Sequence, residues 1–171
     1  KKYTKNNLFF HFNCCVIFTA VFIISYILSH FYIDGDQSNY ILVYNTLPTI
    51  NFTEGKAFYT KYLTSSELVH FTLVSFFSKI VEKEIFVSLF NSILAYGAMM
   101  LFRKWKINFT VSAITVLTNY YIYILYLPAE RLKFGFLFLV FSLLCINSKK
   151  KFLIFFLLSL TSHFQMIIQY A

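Results

Sequence analysis

Charged side chains are few in this sequence: Asp, Glu, Lys and Arg make up 13% of 171 residues, and only seven of them are acidic. An average soluble domain carries roughly 25%. With 58% of residues hydrophobic, including 23 Phe and 13 Tyr, the chain lacks the polar surface that water would need to solvate it, which excludes a soluble domain. Cysteine is also sparse. Cys14, Cys15 and Cys145 all lie in apolar runs, where a thiol behaves as a small hydrophobe, and no C-x-x-C or Cys/His spacing marks a disulfide or a metal site. No internal repeat, low-complexity linker or second domain interrupts the chain. The net charge of +8 has no clustered basic face behind it, so nucleic acid is excluded as a partner.

What the sequence has in quantity is apolar runs, at residues 8–33, 68–81, 85–102, 107–127, 134–146 and 152–171. A helix needs about 20 mainly apolar residues to cross the roughly 30 Å hydrocarbon core, and several runs meet that test. The first run follows Lys1, Lys2 and Lys5, yet it is too long for a signal-peptide core and lacks a small-residue cleavage site, so it reads as a retained helix. Basic residues punctuate the runs: Arg103, Lys104 and Lys106 separate two of them, and Lys149, Lys150 and Lys151 separate the last pair. These are the positions of topology signals.

If the three basic clusters share the cytoplasmic side, an even number of crossings must separate the amino terminus from Arg103, yet three runs lie between them. One of the three therefore does not cross. Run 68–81 is short and holds His70 and Lys79, which suits a re-entrant or interfacial segment; the alternative is that all six cross and one cluster breaks the rule. The expected fold is all-α, a polytopic transmembrane bundle of about five to six membrane segments, with one outer loop at 34–67 that carries Asp34, Asp36, Glu54 and Glu67. The aromatic belt of Tyr120, Tyr121, Tyr123 and Tyr126 before Pro128 places that boundary outside, and the next helix starts near Ala129. The chain lacks an initial Met and stops within an apolar run, so it reads as a single membrane domain, 1–171, from the N-terminal part of a longer protein.

Ionisable groups at or within a membrane cost about 2.5–3.5 kcal/mol at a helix centre, so each needs a reason. Arg131, flanked by Glu130 and Lys133, stands at an outer helix start, where a guanidinium either binds a phosphate or diphosphate or merely snorkels to the interface. His163 falls about twelve residues into the last run, roughly 18 Å along a helix, with Ser159, Ser162, Gln165 and Gln169 on neighbouring strips. Catalysis, substrate binding and interhelical hydrogen bonding are all open to it. Asp34, Gly35 and Asp36 form a D-x-D after the first helix, either a solvated turn or a group that holds a sugar hydroxyl or takes its proton. Glu67 either sits in a first turn capped by Ser65 or Ser66, or contacts a sugar.

Taken in order, these features resemble the O-antigen and exopolysaccharide polymerases, the Wzy and EpsG-like membrane proteins of bacterial surface polysaccharide assembly. The features that carry the resemblance are Asp36 and Tyr40 after the opening helix, Glu67 before a short apolar segment, Lys104-Trp105-Lys106 before a long helix, Pro128-Ala129-Glu130-Arg131-Leu132, and Ser162-His163-Phe164 behind a lysine cluster. The sequence departs from the family at the arginine, which Leu132, Lys133 and Phe134 follow instead of Gln and small residues.

The resemblance implies glycosyl transfer at the outer face of the bacterial inner membrane, joining oligosaccharide repeat units carried on undecaprenyl diphosphate. It implies catalytic roles for Arg131, His163 and Asp36 and substrate contacts from Lys133, Glu67, Tyr40 and Glu130, without metal or cofactor. Implied partners are the lipid-linked oligosaccharide, membrane lipids, a flippase and a chain-length regulator. Two other readings remain: another lipid-linked sugar transferase that uses Asp34 and Asp36, and a non-enzymatic transporter or flippase component.

Overall fold

In the computed structural model, which describes residues 2–163 and 166, helix is the regular structure and no strand occurs among those residues. Helix α1 (Lys2–Phe31) contains the first apolar run, and its Leu8, Phe9, Phe12, Val16, Ile23 and Ile27 face outward. Its partner is α5 (Lys83–Lys104), which packs along it and buries Phe86, Val87, Phe90, Leu94, Ala95 and Met99. Among the described residues these two are the helices long and apolar enough to cross a membrane, the first over Asn7–Phe31.

A third crossing is supplied if α6 (Phe109–Thr118) and α7 (Tyr120–Tyr126) count as one span bent by 57°. The bend falls at Asn119, whose extended backbone ends α6 and whose Oδ1 accepts from the Tyr121 N–H, so one side chain both stops a helix and caps the next. Run 107–127 is therefore broken where the sequence reads as continuous. Helix α8 (Glu130–Leu144) and α9 (Lys149–Ser162) pack against each other, and α8 also packs on α5. They span 15 and 14 residues, short of the roughly 20 that a crossing needs. Among the described residues two or three spans thus stand where five to six membrane segments were expected from run length.

The polar segment 34–67 is not a loop. It folds into α2 (Asp36–Thr46), a 3-10 turn (Leu47–Thr49) and α3 (Phe52–Leu63). Its polar composition hides a stripe of Tyr40, Val43, Tyr44 and Leu47 at helical spacing, all buried. Asn51 caps α3 by accepting the Glu54 N–H at 2.9 Å, and Thr64 ends it in the left-handed region at φ 48°. Helix α4 (Leu68–Phe77) follows; ten residues reach about 15 Å, half of a hydrocarbon core. It buries His70, Phe71 and Val74 against α3, α8 and α9.

The Arg103 and Lys149 clusters gather at one end of the bundle, the end at which α1 begins. Lys104 Nζ donates to the carbonyls of Leu143 and Leu144 at 2.8 and 3.0 Å, closing the C-terminus of α8 just before Lys149 begins α9. Arg103 lies over the Phe10 ring and donates to Asn7 of α1. The opposite end holds α2, α3, α4 and the first turn of α8.

Candidate functional site

Pro128 creates the opening on which the site is built. Its ring and missing N–H stop α7, and the carbonyls of Tyr126 and Leu127 lose their helical partners. Side chains take them instead: Tyr126 O accepts from Asn91 Nδ2 at 2.9 Å and from Lys133 Nζ at 3.2 Å, and Leu127 O accepts from Gln37 Nε2 at 3.2 Å. Asn91 also donates to Ser25, so α1, α5 and α7 are joined through one buried amide. Two residues past the proline α8 begins, and successive side chains of its first turn diverge by about 100°.

Arg131 points toward α2 and α3. Its Nε donates to the Tyr40 hydroxyl at 2.8 Å and its Nη1 to the Leu63 carbonyl at 3.2 Å, the latter one of the orphan acceptors at the end of α3. Nη2 makes no hydrogen bond among the described residues. Glu67 brings its Oε2 within 3.6 Å of Arg131 Nε, and its Oε1 is hydrogen-bonded to Nδ1 of His163. An ionised carboxylate only accepts, so in this pairing Nδ1 is the donor. Arg131, His163 and Glu67 are partly exposed, at 26%, 17% and 13% of their side-chain surface. Substrate contact is open to each of them.

Beside Arg131 lies a polar cavity of about 240 Å³, lined by Asp36, Asn39, Tyr40, Tyr62, Leu63, Thr64 and the guanidinium itself. Asp36 stands in the first turn of α2 and is exposed at the rim, following Gly35, whose φ of 65° turns the chain out of α1. Asp34 is exposed too, but it does not line the cavity. Burial pushes the Tyr40 hydroxyl up to about 12, opposed by Arg131, so at neutral pH it is an un-ionised group that accepts from the guanidinium. Tyr59, deeper in α3, is raised further by burial, and its hydroxyl is 2.7 Å from Nδ1 of His70.

Glu130 and Lys133 go elsewhere. Both are buried, at 1% and 0% exposure, and neither lines the cavity. Glu130 faces Lys83 at 3.2 Å, an ion pair whose angles fall outside those of a hydrogen bond, and His70 at 3.7 Å. Lys133, expected beside Arg131 as a second cation for a diphosphate, is directed inward to the Tyr126 carbonyl because its position on the helix turns it toward α5 and α7.

Two local expectations are corrected. Glu67 is itself the N-cap residue of α4, its side chain makes no capping bond, and the carboxylate is spent on Arg131 and His163. Helix α9 ends at Ser162, and His163 is extended at φ −158°, ψ 122°, so it does not lie on a continuous polar helical stripe. Ser159 donates to Gly135 O of α8 and Ser162 to Leu158 O, while Phe164, Gln165 and Gln169 lie outside the described residues.

Sequence reasoning missed His70, Lys83, Gln37 and Tyr59 as members of one polar network. The signal was present: an ionisable residue in each of two apolar runs or at its edge, on the same side of the chain's longest polar segment. Among the described residues no group of three or more His, Cys, Asp and Glu is gathered as a metal site. No protein-family model, curated protein or solved structure matches the chain.

Proposed function

We propose that this chain is the catalytic part of a membrane glycosyltransferase that polymerises undecaprenyl-diphosphate-linked oligosaccharide units at the outer face of a bacterial inner membrane. The observation that carries the reading is the juxtaposition of Arg131, which lines a polar cavity, with the Glu67–His163 pair, which does not line the cavity but meets the guanidinium through Glu67. In this topology the basic end faces the cytoplasm, the cavity opens on the other side, and α8 and α9 complete five to six membrane segments together with α4.

The acceptor sugar hydroxyl attacks the anomeric carbon of the growing chain. The bond from that carbon to the diphosphate oxygen breaks, and undecaprenyl diphosphate leaves. The hydroxyl proton passes to His163, which Glu67 orients and stabilises as imidazolium. Charge that develops on the leaving diphosphate is met by Arg131, whose Nη2 makes no hydrogen bond among the described residues and whose Nε and Nη1 are fixed by Tyr40 and Leu63. Asp36 at the rim holds an acceptor hydroxyl.

A deletion strain complemented with the full-length gene and with its Arg131→Ala variant tests this on a gel of surface polysaccharide. The expected result is a ladder from the unaltered gene and a single repeat unit from the variant at equal protein level. A full ladder from Arg131→Ala overturns the reading, as does a cysteine at position 131 that is alkylated only from the cytosol.

A further inference from the structure

We infer that Lys83 is a positioning residue for the cavity: its ammonium links the helix that carries Asp36 and Tyr40 to the first turn of the helix that carries Arg131. Lys83 opens α5, the most buried long helix, and is itself 8% exposed. Its Nζ donates to Gln37 Oε1 at 2.7 Å and lies 3.2 Å from Glu130 Oε2. Gln37 belongs to the first turn of α2, between Asp36 and Tyr40, and its amide donates onward to the Leu127 carbonyl, three residues before Glu130. Glu130 precedes Arg131 directly. One cation therefore bridges both walls of the cavity, from behind and without contact with its contents.

The need for such a bridge follows from how α2 is held. Its extensive contacts are with α3 and the 3-10 turn, elements of its own segment, and not with the long helices. At its C-terminal half Tyr44 donates to the Val81 carbonyl and its ring lies against Phe86, which secures that half to α5. The N-terminal half, with Asp36 and Tyr40, is secured by Gln37 to Lys83 and Leu127, by the Tyr40 hydroxyl to Arg131 and by the Tyr40 ring against His70. Without Lys83 this half of α2 would keep the Gln37–Leu127 bond and the Tyr40 contacts, one of which is with the guanidinium that Tyr40 orients. A buried charge with two polar partners resists displacement, since leaving either partner unpaired in a low-dielectric interior is costly.

The functional half of this inference rests on the proposed polymerase reading; the structural half does not. Hydrogen–deuterium exchange on the full-length protein in detergent, unaltered and as Lys83→Met, Gln37→Leu and Lys83→Arg, tests the link. Gln37→Leu is included because it cuts the bridge while leaving the Lys83–Glu130 pair in place. The expected result for Lys83→Met and Gln37→Leu is severalfold faster exchange of the α2 amides at 36–43, unchanged exchange through the membrane core of α1 and α5, and recovery with Lys83→Arg. In cells both cutting variants would shorten the polysaccharide ladder at unchanged protein level.

Unchanged exchange at 36–43 in Gln37→Leu overturns the link, and so does acceleration spread over the whole bundle. Loosened α2 with a full ladder, where Arg131→Ala abolishes the ladder, overturns the positioning role. A full ladder from Arg131→Ala sinks the polymerase reading instead, and the exchange data still decide whether the bridge exists.

Discussion

The two ends of the bundle use cations in opposite ways. At the basic end Lys104 is exposed and satisfies the last carbonyls of α8, while Arg103 lies on an aromatic ring beside a surface asparagine. At the other end Lys83 and Lys133 are buried, Arg131 is half-buried, and carboxylates from distant parts of the chain face two of the three. Exposed cations cost little to keep and answer to helix termini and to the membrane surface. Buried ones persist only with partners, so their arrangement carries more information about a built site.

The comparison is broken most readily at Glu130. Alanine there leaves Lys83 and His70 without their shared carboxylate, and breaking a buried pair on one side costs about 3–5 kcal/mol, expected as a large loss of folded protein in detergent thermal unfolding. Tyr40→Phe removes the acceptor of Arg131 Nε, and a hydrogen bond to a charged group is worth about 1.5–3 kcal/mol. The variant is expected to fold, to unfold at a lower temperature and, on the proposed polymerase reading, to make a shortened ladder.

Gly135→Ala sharpens the contrast from the packing side. A Cβ at position 135 would lie 2.6 Å from Met166 Cγ and 3.4 Å from His163 Cβ, so the Met166 side chain must shift and crowds the chain just past α9. Overpacking of this kind costs about 1–3 kcal/mol, and on the proposed polymerase reading the displacement is expected to reach His163 and reduce polymer length more than stability; normal polymer with normal melting would show that the methionine yields freely. The smallest effect is expected from Lys104→Ala, at most about 1 kcal/mol at an exposed helix end, read as a slight shift in melting. If it matched Glu130→Ala, the distinction between the two ends would be lost.

Much of the candidate site is legible from residue types and their places along the chain. Arg131, Glu67, His163, Tyr40 and Asp36 stand out as polar groups at the edges of apolar runs, and the fold brings the first four into one hydrogen-bonded or ion-paired set with Asp36 at the rim of the cavity. Glu130 and Lys133 stand out equally in the sequence and are directed away from it. Which of several adjacent charged residues enters a cavity depends on the rotation of the helix about its axis, and that is decided by what packs behind it. The segment 34–67 reads as a loop because polar residues outnumber the apolar ones, although four apolar side chains at helical spacing are enough to dock α2. The bend at Asn119 and the end of α9 before His163 are likewise invisible to hydropathy, since neither interrupts an apolar run.

By itself the sequence determined the class: a helical protein with segments apolar and long enough for a membrane, and short basic clusters between its apolar runs. Those properties follow from composition and run length, because transfer from water to hydrocarbon depends on each segment's own side chains. Tertiary structure alone decided that Glu67 meets His163 across 96 positions and Lys83 meets Glu130, and that Arg131 faces a cavity while its neighbours do not. The physical reason is that a charge in a low-dielectric interior takes its partner from whichever helix lies against it, and the identity of that helix is written in the packing of the whole chain.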